Sequence, residues 1–170
     1  QGNIEHAAQE DESCESDVAE LVRARMEGYR EMAEGSTAPD FVIRDVHGMS
    51  QRLSELPNPY VLVMFWASTC GHCTAMIPEL HNWYMNENLL DMEVIAISID
   101  SSSVHFENYV SEMEMNWITN HDPLGWHGKV PTDYHIYATP SMFLLDGERK
   151  IVSRPVTFRQ FRKAVRSLNY

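Results

Sequence analysis

Hydrophobic positions change their period along this chain, and the changes mark its elements. Val18, Leu21, Val22, Met26, Tyr29 and Ala33 recur at the spacing of one helix face, with Ser16 or Asp17 placed to cap the start and Gly35 the end. Tyr60 to Trp66 is apolar at every position, the pattern of a central strand covered on both sides. Met76, Ile77, Leu80, Trp83 and Tyr84 then form a helical stripe, and Glu93 to Ile99 returns to a β-branched apolar run. Strand, helix, strand in that order predicts a parallel crossover.

Weaker patterns flank this unit. Phe41 to Asp45 and Met49 to Arg52 read as short strands about a His47-Gly48 turn, followed by the breaker-rich Leu56-Pro57-Asn58-Pro59. Phe106, Tyr109, Val110 and Met113 predict a further helix, and Asn116 to Thr119 a short strand. Asn120 to Thr139 reads as irregular. Ser141 to Leu145 and Lys150 to Ser153, joined at Asp146-Gly147, predict an antiparallel pair, closed by a helix with Phe158, Phe161, Val165 and Leu168 inward. The fold class is therefore α/β, a mixed sheet flanked by helices. Pro39 biases Ala38 away from helix, so the boundary falls at Ser36: residues 1–35 are an acidic tail with an amphipathic helix, and 36–170 the main domain. Gln1 to Glu15 carries too few apolar residues to offset its ordering entropy and is expected to be a mobile tail.

Composition narrows the partners. Twenty-five acidic residues against 13 basic ones leave a net charge of −12 over 170 residues, which disfavours nucleic acid and anionic lipid. Residues 1–34 hold −7 of that charge, whereas the last 22 residues are wholly basic in their charged positions. The longest apolar run, Val61 to Ala67, is far too short for a membrane-spanning helix, and the residues given show no targeting signal.

Three cysteines are too few for a disulfide scaffold, and Cys70-Gly71-His72-Cys73 points to redox or metal chemistry. Cys70 falls between the apolar strand and a helix, where backbone N–H groups favour a thiolate; Cys73 lies one turn inward on the same face. That inequality makes Cys70 the attacking thiolate and Cys73 the resolving thiol. A zinc site would need two more ligands, and neither a second Cys-x-x-Cys nor a finger-spaced His pair occurs. No cofactor beyond the Cys70-Cys73 disulfide and no metal is expected. His121, His127 and His135 fit no ligand signature, and Cys14, among acids in the tail, should be sluggish.

Val61 to Cys73, with Pro78 beyond it, resembles the active-site strand and helix of the thioredoxin superfamily. Ala38-Pro39-Asp40-Phe41 and Ala138-Thr139-Pro140-Ser141 to Asp146 resemble its TlpA/ResA-like branch of extracytoplasmic thiol-disulfide oxidoreductases. The likeness covers about Ser36 to Leu168. It implies a thioredoxin-like sheet, Cys70 as nucleophile, Cys73 as resolving thiol, and Pro140 as a cis-proline facing the disulfide. An ordinary strand-start proline is the alternative for Pro140. The resemblance further implies a periplasmic or other extracytoplasmic setting, cysteine-bearing protein substrates, and a membrane thiol reductase as donor if the direction is reductive. Thr139 and Pro140 would hold the substrate backbone, and Trp66 is read as either core or a wall of that groove. His72, where many relatives carry proline, would favour the Cys70 thiolate and make the couple more oxidising; Gly71 completes the tuning dipeptide.

The family often places a buried acid in the central strand or three residues after the second cysteine. Met64 and Met76 stand there instead, leaving the deprotonation of Cys73 without an obvious base. Other activities stay open: an oxidase or isomerase direction, a peroxiredoxin-like peroxidase, or a metal-binding module using the Cys-x-x-Cys pair. The peroxidase frame Pro-x-x-x-Thr-x-x-Cys is not met, since Trp66 and Ala67 stand where its Pro and Thr fall relative to Cys73 and Cys70 respectively.

Overall fold

Two apolar runs that cannot face water on either side set the architecture. The computed structural model describes residues 4–88 and 91–168, with side chains from residue 17 onward. Tyr60–Trp66 forms strand β3 and Met92–Ser98 forms β4, paired in parallel with Val63 opposite Ile95 and Trp66 opposite Ser98. Ahead of them, helix α1 spans Ile4–Glu31, and Val42–Arg44 (β1) pairs antiparallel with Ser50–Arg52 (β2) as a separate ribbon. After β3 come α2 (Gly71–Asn86), β4, α3 (Ser103–Glu112), β5 (Ile118–His121), α4 (Lys129–Asp133), β6 (Ser141–Leu145), β7 (Ile151–Ser153) and α5 (Phe158–Leu168). The main sheet is five-stranded in the order β5-β4-β3-β6-β7, with β6 and β7 antiparallel to their neighbours. This is the thioredoxin-like mixed sheet between helices.

Strand alternation divides the core by face. Leu62, Met64 and Trp66 pack with Cys73, Ile77, Leu80 and Trp83 of α2, Phe106 of α3, and Phe161 and Val165 of α5. Val61, Val63 and Phe65 point the other way, to Met32, Phe41, Tyr134, Phe143 and Leu145. Each large side chain buried this completely stabilises the fold by about 1.5–3 kcal/mol. Met64 and Met76 belong to the first of these clusters as packing residues.

Three expectations need correction. Helix α1 begins at Ile4, within the stretch expected to be a mobile tail, because no glycine or proline interrupts its Ala-, Gln- and Glu-rich sequence before Gly28. The Cys14 side chain lies outside those described. The helix ends at Glu31, and Gly35 takes a positive φ of 91° just beyond it. The segment from Asn120 to Thr139 is not wholly irregular: it holds α4, and it buries Val130, Pro131, Tyr134 and Ile136. The Tyr134 hydroxyl donates to the Pro39 carbonyl at 2.9 Å while its ring meets Phe41, Phe65 and Phe143. Trp66 is fully buried, its ring 6.1 Å from Phe106 and 5.2 Å from Tyr109, so it is core and not a groove wall. A strand covered on both faces leaves none of its side chains for a ligand.

Candidate active site

Strand β3, at the centre of the sheet, ends at Trp66, and the turn Ala67–Cys70 hands the chain to α2. Cys70 N–H bonds the Ala67 carbonyl at 3.1 Å, and Ile99 N–H bonds the Trp66 carbonyl at 2.9 Å, which ties this turn to the end of β4. Cys70 is the N-cap of α2, with extended φ and ψ of −85° and 107°. Its sulfur accepts the Cys73 N–H at 3.2 Å and its carbonyl accepts the Thr74 N–H at 3.0 Å. The helix N-terminus therefore points free donors and the positive end of its dipole at Cys70 Sγ, which is the environment that favours a thiolate.

Cys70 and Cys73 are joined as a disulfide with their Cα atoms 5.2 Å apart. Cys70 is partly exposed and Cys73 fully buried. An incoming sulfur reaches only the first of them. On reduction, the second remains within reach without backbone movement.

Facing the pair is the segment before β6. The Thr139–Pro140 bond is cis, and the Thr139 carbonyl oxygen lies 3.5 Å from Cys70 Sγ. Thr139 is also the residue shared by two cavities that flank the disulfide. One, of about 630 Å³, is lined by His72, Met76, Pro140, Val156 and Phe158 among others. The other, of about 410 Å³, runs along Cys70, Asp100, Leu124, Trp126 and His127. The structure thus brings Cys70, Cys73, His72, Thr139 and Pro140 together. Gly71 is exposed, and a Cβ placed there would meet nothing within 4 Å, so steric need does not dictate glycine at that position.

Of the three histidines before Pro140, His127 lines the second cavity and the other two are engaged elsewhere. His121 Nε2 lies 2.8 Å from the Asp100 carbonyl oxygen with its ring stacked on Phe106, and His135 Nε2 lies 2.8 Å from a Glu31 carboxylate oxygen. Among the described residues, no group of three or more His, Cys, Asp and Glu side chains converges on a metal-sized site.

Sequence reasoning missed Asp100. Its side chain is buried beside the active-site turn, and its oxygens accept from Ser68 N–H at 3.0 and 2.9 Å, from Ser68 Oγ at 2.8 Å and from Ser98 Oγ at 2.7 Å. The one available signal was position: an acid just after an apolar parallel strand, at the sheet end where the cysteines sit. Tyr109, against Trp66, is held protonated to a higher pH than usual by burial and by the nearby Glu112 carboxylate.

A Cys-x-x-Cys disulfide at a helix N-terminus, facing a cis-proline turn on this sheet, defines a thioredoxin-like thiol-disulfide oxidoreductase. The chain belongs to the AhpC/TSA family, whose model matches residues 35–154. It is 27% identical over 132 residues to the thiol-disulfide oxidoreductase ResA of Bacillus subtilis, a match covering 78% of this chain and 72% of that protein. Among solved structures, it resembles the thioredoxin domain of a thiol-disulfide oxidoreductase from Bacteroides vulgatus with a TM-score of 0.71 and 26% identity, over 80% of this chain and 97% of that one. A thiol:disulfide interchange protein from Bacteroides sp. is similar at a TM-score of 0.70 and 25% identity, over 81% of this chain and 90% of that one.

Proposed function

We propose that this protein reduces disulfides in cysteine-bearing protein substrates, in an extracytoplasmic compartment. The observation that carries the reading is the inequality of the two sulfurs: Cys70 partly exposed at the N-cap of α2, Cys73 fully buried behind it. In the reduced protein the Cys70 thiolate attacks one sulfur of a substrate disulfide. A Cys70-to-substrate bond forms, the substrate bond breaks, and one substrate thiolate leaves. Cys73 then gives up its proton, which the released substrate thiolate takes up, and attacks Cys70 Sγ. The second substrate thiolate departs, two electrons having passed to the substrate, and the Cys70-Cys73 disulfide remains. A dithiol donor must return those electrons, and the membrane thiol reductase implied by the family resemblance is of that class.

Supporting the substrate class is the pair of cavities meeting at Thr139, which leaves room for an extended chain across Cys70. The Thr139 and Pro140 backbone would hold that chain as an added strand. The compartment rests on the resemblance to extracytoplasmic oxidoreductases. Among the described residues no helix is long and apolar enough to cross a membrane.

The exposed His72 beside Cys70 supports a second direction, oxidation or isomerisation, because positive charge there stabilises the thiolate of the reduced form. Reduction of insulin disulfides with dithiothreitol as donor tests the main reading. The wild type is expected to turn over, and Cys70→Ser to fall to the uncatalysed rate. Robust peroxide consumption lost in Cys70→Ser, with no insulin reduction, would replace this reading with a peroxidase. Metal retained stoichiometrically through purification and lost in Cys73→Ser would replace it with a metal-binding module.

A further inference from the structure

The buried Asp100 carboxylate has no part in the exchange chemistry set out above, yet it is built into the turn that carries the nucleophile. It lies two residues beyond the end of β4 and is 3% exposed. Both of its oxygens accept the Ser68 N–H, one accepts Ser68 Oγ and the other Ser98 Oγ. Ser68 is two residues before Cys70, inside the Ala67–Cys70 turn. All four of these hydrogen bonds come from neutral donors, so nothing in that set cancels the charge of the carboxylate. Asp100 also lines the same 410 Å³ cavity as Cys70. Of the other titratable groups nearby, His127 lines that cavity, and His121 contacts the Asp100 main-chain oxygen and not its side chain.

Two consequences follow from this placement. Three contacts from one side chain fix the turn, and with it the position of Cys70 at the N-terminus of α2. The Asp100 carboxylate, lining the same cavity as the partly exposed Cys70, also opposes a second negative charge on that sulfur. The disulfide is neutral and the thiolate is not, so the charge weighs against the reduced form.

We propose that Asp100 is a positioning residue that sets the redox poise of the Cys70-Cys73 pair, holding the active-site turn in place and biasing the couple toward the disulfide. It acts against the helix dipole and His72, which favour the thiolate. The inference rests on the proposed dithiol-disulfide exchange, and deepens it by assigning a determinant of its direction.

The test is the equilibrium constant of the full-length protein with glutathione, in which two glutathione thiols give two electrons and two protons to the protein disulfide and leave as one glutathione disulfide. Asp100→Asn removes the charge and is expected to shift that constant about tenfold toward the dithiol, about 30 mV more oxidising. The double variant Ser68→Ala, Ser98→Ala keeps the charge but strips its two hydroxyl donors. The less compensated carboxylate then weighs more heavily on Cys70, and the constant is expected to shift a few-fold the opposite way. A purely structural role gives no such opposition of sign. Circular dichroism checks that each variant folds, and the double variant decides alone if Asp100→Asn does not. Constants within twofold of wild type, or shifts of the same sign in both variants, overturn the proposal. A wild-type pair that does not equilibrate with glutathione at all overturns the exchange reading instead.

Discussion

At the scale of single residues, the site is a contest over one sulfur. Cys70 gains thiolate character from the N-terminus of α2, where its Sγ already accepts the Cys73 N–H at 3.2 Å. His72 is exposed one residue before Cys73 and adds positive charge whenever its ring is protonated. His72→Pro is therefore expected to make the couple more reducing, by a few-fold in the glutathione equilibrium, with tenfold worth about 30 mV. The same equilibrium measured on the variant checks this, and an unchanged constant removes His72 from the list of tuning groups. Trp66, Met64 and Met76 lie outside this contest as buried packing residues.

The elements were legible to the extent that their own residues determine them. Strands β3 and β4 and helices α2 and α5 carry their periodicity locally, and each falls within a residue or two of where that pattern places it. Helix α4 was not legible, because Lys129–Asp133 is short and contains Pro131, and its burial depends on Phe41, Phe65 and Phe143 meeting Tyr134 from distant parts of the chain. The site divides in the same way. Cys70, Cys73 and Pro140 are visible as a motif, but a lone acid after a strand reads as a surface turn until Ser68, 32 residues upstream, is seen to donate to it.

Also at this scale, β4 and α2 are joined at their far ends by the Tyr84 hydroxyl, which donates to a Glu93 carboxylate oxygen at 3.3 Å. Burial, and then the Glu93 charge, push the Tyr84 pKa up from 10 to about 12. An acid whose pKa is raised by folding stays protonated in the folded chain while the unfolded chain ionises. Its contribution is thus intact below pH 10 and is lost as pH rises from 10 through 12. Tyr134, raised further by its deeper burial, acts in the same direction. Denaturant unfolding at stepped pH is expected to show stability falling across that window. Tyr84→Phe should flatten the fall without abolishing it; an unchanged slope contradicts the assignment.

For the whole molecule, the attachment of α1 to the domain adds a contact beyond the main sheet. The last turns of the helix lie on the segment that precedes the active-site proline: Arg25 stacks over the Tyr137 ring at 5.0 Å, and Glu31 meets His135. Gly28 permits this approach, because a Cβ there would fall 2.5 Å from the His135 ring. Gly28→Val must push α1 and this segment apart, at a cost of about 1–3 kcal/mol. Thermal unfolding should show the midpoint lowered by several degrees. An unaltered midpoint would mean that the helix docks elsewhere or does not contribute to stability.

Beyond these attachments, the molecule reads as a frame that exposes one sulfur and hides the other. The most direct test of that claim is mass spectrometry of the covalent adduct formed when Cys73→Ser is mixed with a disulfide-bearing protein substrate. The account predicts a stable one-to-one mixed disulfide mapped to Cys70, absent in Cys70→Ser and transient in the wild type. Normal turnover by Cys73→Ser, or an adduct mapped to any cysteine other than Cys70, would contradict it.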